Sequence, residues 1–542
     1  MSTEMQGYND QMRQQTEAAN NMRRTLIRPQ FDDKGKFIDN EEILLSSVAE
    51  AVQDDPVYAA MGEHGVAVAM VHIQAIRDFT NQNNGVMPSD MLLSSARKEL
   101  ENLYIDHAVT NKDMILSAVQ AQSTATSDGV PTIVTTAQVA LPRLLASQTL
   151  DVVTFVSGKR SSELEYFDIE TSAGSDFGDY KKDDPMGLLS GGQYSNMVQH
   201  FAFPEKGDGA KKSFSFNSAT DTPAKKALPI VKKSTMIYIA KELAAEDIQG
   251  TGRLVGQFTQ GGKELVVGGT VDYSAGQITV DIGEPLAADV EIEVEIQIDI
   301  EAKPDLIPEI SNHATSFKIR PALRVLRSNS SLQAQWKMAS DLSIDARSLN
   351  LTSLRDHLAA QDDLHVIQKL AWMAKRLHVI DCAAKEGSND NTIEGYELVR
   401  VQLNSASDAM MTESEDSGLV GLYCTREAAG FFKNTPSFKF AQGYTQQNRI
   451  HFVGTAFSRY KIYEVPQSIK ELKPGEAVGY GKSSIEGRAP YLKGDINAPT
   501  LIDHELSPGL VKSDTIIANG YSALNPKHGQ KYIAKFVFNN YE

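Results

Sequence analysis

"SFKIRPALRVLRSNSSLQAQWKMASDL", Ser316 to Leu342, changes character halfway along. Lys318, Arg320, Arg324 and Arg327 fall in its first part, and no acid occurs from Ser311 to Arg327. From Leu332 the apolar residues switch to helical spacing, so the stretch reads as a basic strand running into a helix. Immediately upstream the charge reverses: Glu284 to Glu309 hold nine acids and one Lys. Within that block "DVEIEVEIQIDIEA", Asp289 to Ala302, alternates apolar and polar residues. Successive strand side chains point to opposite faces. Val290, Ile292, Val294, Ile296, Ile298 and Ile300 therefore share a core face, and Glu291, Glu293, Glu295, Asp299 and Glu301 share the other. Same-face neighbours lie roughly 6.5–7 Å apart along a strand, too far for consecutive carboxylates to hold one cation at about 2.0–2.6 Å. The acidic row reads as a solvated or interface-facing surface, not a metal site.

Downstream, Ser353 to Val379 reads as one long helix of about 40 Å. Val366, Leu370, Met373, Leu377 and Ile380 make one apolar stripe, and Leu364, Ile367, Ala371 and Ala374 another, which predicts contact on two sides. Trp336, Ile367, Leu370, Met373 and Leu377 are the candidate fold core. After Glu386 short strands and helices alternate, an α+β pattern. Upstream of the acidic strand, Leu254–Phe258, Lys263–Val267 and Gln277–Ile282 are strand candidates with Gly-containing turns between them. The polar stretch from Leu164 to about Lys233 is too long for an ordinary connection and is expected as a functional loop or arm. Glu205 to Lys233 within it carry seven Lys against three acids. Lys211, Lys212, Lys225, Lys226, Lys232 and Lys233, with Lys318, Arg320, Arg324 and Arg327, are candidates to meet acidic surfaces such as Glu291, Glu293 and Glu295, within or between subunits.

Residues 1–40 are Gln/Asn-rich and weakly periodic and are expected as an arm or mobile segment. Ile43, Leu44, Val48, Ala51 and Val52 repeat at helical spacing, Pro56 opens a second helical run to Phe79, and Ser89 to His107 fits a third. Thr110 to Asp113 resembles a capping box opening a fourth short helix to about Gln120. "STATSDGVP", Ser123 to Pro131, reads as a linker and a boundary, with a helix around "AQVALPRLLASQ" and strands "LDVVTFVSG" and "SELEYFDIE" beyond it.

The 542-residue length suggests about three or four domain-sized units. With 41% hydrophobic and 23% charged residues the composition is that of a globular chain. The N-terminus lacks the apolar core of a secretory signal, and no stretch approaches a membrane span, so a soluble protein made in a cytoplasm is expected. Cys382 and Cys424, the only cysteines, are expected to be reduced, buried and inert. A net charge of −17 disfavours broad phosphate neutralisation and so tight nucleic-acid binding.

No phosphate loop, dinucleotide fingerprint, HExxH or GxSxG elbow occurs. In "QFDDKGKFIDNE" a calcium loop would place Gln30 and Lys34 where oxygen anions are needed, so a plain turn is the better reading. His365 and His378 are too far apart in sequence to ligate a metal as an i, i+4 pair. No catalytic, cofactor or metal residue is expected, and the chain is read as not an enzyme. Trp336 and Trp372 fit core or interface packing.

The Ser316–Leu342 stretch resembles the major capsid proteins of tailed bacteriophages, particularly T-even-like myoviruses, through Leu332, Ala334, Trp336, Asp341 and Leu342 after a basic strand. The long helix that follows looks like the spine of the Hong Kong 97-like coat fold. "LPRLLASQTLDVVTFVSG", "FVGTAFSRYKIYEVP", "VGYGKSS", "APYLKG" and "ALNP" resemble further family segments in chain order, in patches over about 132–542. The family's Gly-Pro-Thr-Gly turn is replaced here by Gly158-Lys159-Arg160-Ser161, and its late Arg-Tyr pair by Gly520-Tyr521.

The resemblance implies an α+β Hong Kong 97-like phage capsid fold. Residues 1–130 would form an N-terminal arm and helical region, and 131–163 the helix and strand leading into the P-domain. Residues 164–235 would be the extended E-loop with its flanks, and 236–303 an inserted antiparallel β subdomain. The returning strand and spine helix would occupy 304–389, the A-domain 390–475, and a closing A/P-domain segment 476–542.

The same resemblance implies a structural protein that self-assembles into an icosahedral head around double-stranded DNA, assembled in the host cytoplasm and located in the virion capsid. Its expected partners are copies of itself in hexamers and pentamers (or a separate vertex protein), scaffold and portal proteins, a decoration protein, and DNA by weak contact only. It implies no cofactor and no membrane. An encapsulin-like shell of the same fold is the nearest alternative. An enzyme or carbohydrate-binding β protein is the alternative from another class.

Overall fold

The computed structural model describes residues 3–32, 35–38, 40–83, 85–110, 137–138, 140–156, 163–187, 192–223, 225–342, 346–382, 391–441, 443–466, 469–483, 488–504 and 510–540. The expected fourth helix, its capping box and the Ser123–Pro131 linker lie outside these residues. The chain forms two compact units, one of Met1–Asp168 and Ser316–Glu542, the other of Ile169–Thr315.

The first unit opens with helices α1 (Thr3–Met22), α2 (Glu41–Gln53), α3 (Gly65–Gln82) and α4 (Asp90–Thr110). The expected arm is therefore a helix and part of the core: Ala19, Met22 and Leu26 recur at helical spacing and are almost wholly buried. Three residues in one stripe among many Gln and Asn give a weak period, which is why the segment reads as an arm. Asn40 caps α2 by accepting the Glu42 N–H, and Leu44, Val48 and Val52 form its buried stripe. The run from Pro56 is interrupted at Gly62, whose φ of +58° suits glycine and ends the first short turn before α3 begins.

The next strands are β1 (Val153–Phe155) and β2 (Leu164–Ala173). The second unit then supplies β3 (Val198–Ala202), β4 (Ser213–Asn217), β5 (Met236–Ile239), β6 (Glu242–Glu246), β7 (Arg253–Gln260), β8 (Lys263–Asp272), β9 (Gln277–Ile282) and β10 (Ile292–Gln297). The chain returns along β11 (Ile310–Ile319), which pairs with β2.

Strands β3 to β10 form one antiparallel sheet in the order β3-β10-β5-β6-β7-β8-β9-β4. Residues of the expected loop thus supply both outer strands of the sheet whose centre was expected as a separate subdomain. No boundary falls at 235/236. The reason is visible in "SFSFN", where Phe214 and Phe216 are buried and their Ser neighbours point outward. Phe201 of β3 stacks on Phe216 of β4 with ring centroids 5.7 Å apart, so the outer strands face each other and the sheet curls around its own apolar side. The acidic strand is shorter than its alternation predicts: Asp299 accepts the backbone N–H groups of Glu301 and Ala302, at 3.0 and 3.1 Å, and turns the chain.

Back in the first unit come β12 (Pro321–Ser331), α5 (Leu332–Leu342), α6 (Ala346–Met373), β13 (Leu377–Asp381), α7 (Asn391–Ser414), β14 (Leu419–Thr425) and α8 (Arg426–Lys433). Strands β15 (Lys439–Phe440), β16 (His451–Ala456), β17 (Tyr460–Val465), β18 (Glu476–Gly481), β19 (Tyr491–Asp503), β20 (Val511–Leu524) and β21 (Ile533–Asn539) complete the chain. A four-stranded sheet has the order β1-β19-β20-β12, and a mixed seven-stranded sheet the order β13-β21-β18-β14-β17-β16-β15. Leu354 and Leu358 of α6 pack on Ile516 and Ala518 of β20, while Val366, Ile367, Leu370 and Ala371 enter the main core.

The long helix, 28 residues and about 42 Å, starts before Ser353 and stops short of Val379. Leu377 and Ile380, placed in its stripe by helical spacing, belong instead to β13, parallel to β21. "LHVI" alternates, and the buried Ile380 and exposed Leu377 and Val379 follow a two-residue period. Leu377 is thus not core, nor is Trp336, which is 71% exposed. Ile367 and Leu370 are buried as expected, and Met373 is partly buried against the same cluster. Cys382 and Cys424 are both buried free thiols. Burial pushes Cys382 up to about 12 and Cys424 further in the same direction, so neither is a ready nucleophile.

Candidate assembly surfaces

Strand β12 is the outer strand of its sheet, so one side of its backbone is unpaired along 11 residues. Its even-numbered side chains from Arg324 face the body, and Leu326 packs toward α6. The odd-numbered ones face outward: Leu323 is 66% and Val325 52% exposed, with Arg327 next in the row. Strand β13 is likewise an outer strand and exposes Leu377 and Val379. Trp336 on α5 and Trp372 on α6 are both more than 70% exposed, so neither tryptophan of the chain is core. Long apolar outer strands are templates for pairing with another chain.

The Lys and acid candidates divide in two. In the second unit, Glu291 pairs with Lys206 at 2.7 Å, and Glu293, only 8% exposed, pairs with Lys241. Glu295 lies opposite His200 of β3. The acidic face is therefore met within its own unit, by two lysines that sequence reasoning did not single out. Lys241 reaches it because Ala240 and Lys241 both have positive φ in the tight turn joining β5 to β6. The turn lacks the usual Asn-Gly, so the hairpin left no signature. Lys211 pairs with Glu205 at 2.8 Å, Lys212 donates to the Gly283 carbonyl, and Lys226 pairs with Asp176. Lys225, Lys232 and Lys233 stand exposed, the last donating its backbone N–H to Asp247. Among the described residues, none of these six lysines forms an ion pair with Glu291, Glu293 or Glu295.

In the first unit, Lys318 and Arg320 clasp Glu163 at 3.3 and 3.1 Å. Arg320's hydrogen bond, then that of Lys318, holds the Glu163 carboxyl below its usual range. Arg327 is exposed and has no ion pair among the described residues. Arg324 turns inward, pairs with Asp362 of α6, and donates to Asp495 of β19 at 2.8 Å. Asp495 also accepts from Arg143 at 2.8 Å, which in turn donates to Glu99 of α4 at 2.9 Å, and Lys493 pairs with Asp362 at 3.0 Å.

This buried network joins α4, α6, β12 and β19 behind the exposed apolar strand. Its signal was Lys493 and Asp495, opposite charges two residues apart and so on one side of a strand. Beside it, a cleft of about 350 Å³ is lined in part by Arg143, Ser147, Asp362, Asp363 and Lys493. Asp362 is held by Arg324 and Lys493, and Asp363 accepts from Ser147, the Gln148 N–H and Thr149. These carboxylates serve as structural joints.

One guanidinium cannot neutralise two buried carboxylates equally. Burial pushes Asp495 up, but Arg143, Arg324 and Lys493 together outweigh it and bring it to about 2. Glu99, whose one ion-pair partner among the described residues is Arg143, is pushed up to about 7, chiefly by burial. A carboxyl whose folded value is raised contributes its stabilisation in full below its ordinary value near 4.5 and loses it as pH rises through about 7. The wild-type chain is expected to lose up to about 1.4 kcal/mol per pH unit relative to Glu99→Gln across that window. Urea unfolding between pH 5 and 8 measures it; parallel curves for the two proteins would contradict the assignment.

The folded chain is an α+β protein with a long helix laid on an outer-strand sheet. The family described as "Domain of unknown function (DUF8615)" matches residues 3–147, a span that includes α1 to α4. The chain is 30% identical over 154 residues to Protein IncB of Escherichia coli, an alignment covering 27% of this chain and 73% of that protein. The chain belongs to the family of Protein IncB.

Among solved structures, similarity is found to the icosahedrally averaged capsid of jumbo bacteriophage PhiKZ, at 10% identity over 72% of this chain and 92% of that one, TM-score 0.37. It is also found to a structure from Mycobacterium phage Bobi, at 10% identity over 62% and 92%, TM-score 0.28. The capsid of an empty GTA particle matches at 10% identity over 42% and 76%, TM-score 0.28. Scores of this size do not establish a shared fold. No helix among the described residues is long and apolar enough to cross a membrane.

Proposed function

We propose that this chain is the major coat protein of a tailed-phage head with a Hong Kong 97-like fold, a non-enzymatic subunit that assembles with copies of itself into a closed shell around double-stranded DNA. The exposure of both tryptophans, together with the exposed apolar side chains of two outer strands, is the observation that carries the reading. Large apolar side chains cluster at the surface where another protein covers them, and Trp is the residue most enriched where such contacts are strongest.

Four further features support it. The motif order over 132–542 resembles that of the family. A long helix on a sheet with a long outer strand suits a spine and P-domain, and the seven-stranded sheet suits an A-domain. A unit that leaves along β2 and returns along β11 suits an elaborated E-loop. A net charge of −17 suits a wall that must not hold its contents tightly. Scaffold, portal and decoration proteins would be its partners during and after assembly.

Electron microscopy with analytical ultracentrifugation tests the proposal. Expression of the chain, with a scaffold protein if its gene neighbourhood supplies one, is expected to yield closed shells of uniform diameter. A single 59.3 kDa species at every salt and protein concentration would overturn it.

A further inference from the structure

The outward face of β12 is apolar and cationic. Leu323 and Val325 lie two residues apart, about 6.5–7 Å along the strand, with Arg327 next in the row, and no acid occurs from Ser311 to Arg327. Such an edge disfavours its own copy, because basic side chains would meet across an antiparallel pair of identical strands. It favours a surface with exposed apolar groups and unopposed acids.

Three exposed apolar surfaces among the described residues differ in this respect. Around β13, Leu377 and Val379 are accompanied by Lys375 and Arg376. On the curled sheet of the second unit, Leu243, Val255 and Val266 are flanked by Arg253 and Lys263 as well as by acids. Helix α2 carries Ile43 and Leu45, 55% and 49% exposed, with exposed Glu41, Glu42 and Glu50, and has no Lys or Arg along its length. Its buried side is Leu44, Val48 and Val52, so the helical turn sets Glu42, Ser46 and Glu50 on the opposite side. It is held to the body by that stripe, and its acidic side is unopposed: among the described residues neither Glu42 nor Glu50 has an ion pair.

We propose that α2 of one subunit docks, acidic side down, on the β12 face of a second copy, with Ile43 and Leu45 beside Leu323 and Val325 and with Glu50, farther along the helix, facing Arg327. This rests on the self-assembly reading and deepens it by naming the two surfaces. The contact places the family-matched N-terminal segment between subunits. It also explains why the strand carries unpaired Arg327 on a face otherwise open to water. Apolar burial supplies most of the affinity, and charge selects the partner and register.

Mixing two variants tests the contact. Chains carrying Ser46→Cys are mixed with chains carrying Val325→Cys and oxidised with glutathione disulfide; the native Cys382 and Cys424 are buried and do not compete. The expected result is a disulfide-linked dimer in the mixture and not in either variant alone. Glu50→Lys in the first chain should lower its yield about fivefold, and Arg327→Glu in the second should recover it. Shells that form without the cross-link would overturn the docking and leave the coat reading standing. A cross-link in a preparation that forms only small oligomers would uphold the docking and remove the coat. Equal yields from the charge-reversed and parent pairs would overturn the role given to Arg327.

Discussion

Replacing Asp495 by Ala is expected to lower the unfolding free energy by about 3–5 kcal/mol, because removing one partner of a buried charge network leaves the others uncompensated. Here Arg143, Arg324 and Lys493 would be left to share Glu99 and Asp362, three cations against two carboxylates. The loss is a large share of the about 5–15 kcal/mol that holds a typical domain folded. Denaturant unfolding with the slope unchanged measures it, and a difference under about 1 kcal/mol would show that the network contributes little. The pH dependence follows the lowered folded value. Asp495's contribution is present above its ordinary value of 3.8 and lost only as pH falls through about 2. The gap between wild type and variant should therefore persist in mild acid, where ordinary surface carboxylates are already titrating.

Trp336→Ala should do the reverse: leave the folded subunit nearly untouched and disable assembly. A side chain 71% exposed gives up little on folding, so unfolding should shift by no more than about 0.5 kcal/mol. If Trp336 is an interface anchor, truncation costs about 2 kcal/mol or more per contact, about a 30-fold weaker association. In a shell that loss recurs at every copy. Light scattering against protein concentration should show the assembly threshold rising for Trp336→Ala, and for Trp372→Ala as well. A threshold identical to wild type for both would remove the observation on which the coat reading depends.

How much of this was legible in advance follows from which signals are local. The strand-to-helix switch at Leu332, the stripe of α2 and the turn-bounded strands β7 to β9 rest on near neighbours in sequence, and the structure has them with small changes of boundary. Phe214 and Phe216 are different: they sit in a polar segment and become core only because β9 comes alongside. The sharpest error was Trp336, where a helical context suggested burial. Sequence periodicity separates one side of a helix from the other but does not say whether the outward side meets solvent or another molecule. The charge candidates failed for a related reason. Glu293 and Arg324 have their partners at Lys241 and Asp495, positions set by a tight turn and by sheet order. Neither turn nor order follows from the local run of charges.

Strands β2 and β11 carry a further consequence. Because the outgoing and incoming ends of Ile169–Thr315 lie side by side in one ladder, that stretch is joined to the rest of the polypeptide as a cassette would be. A short hairpin grafted between the two strands would close the same gap. Lineages of such a protein are free to enlarge, trim or trade this module while the body that contains the long helix stays as it is.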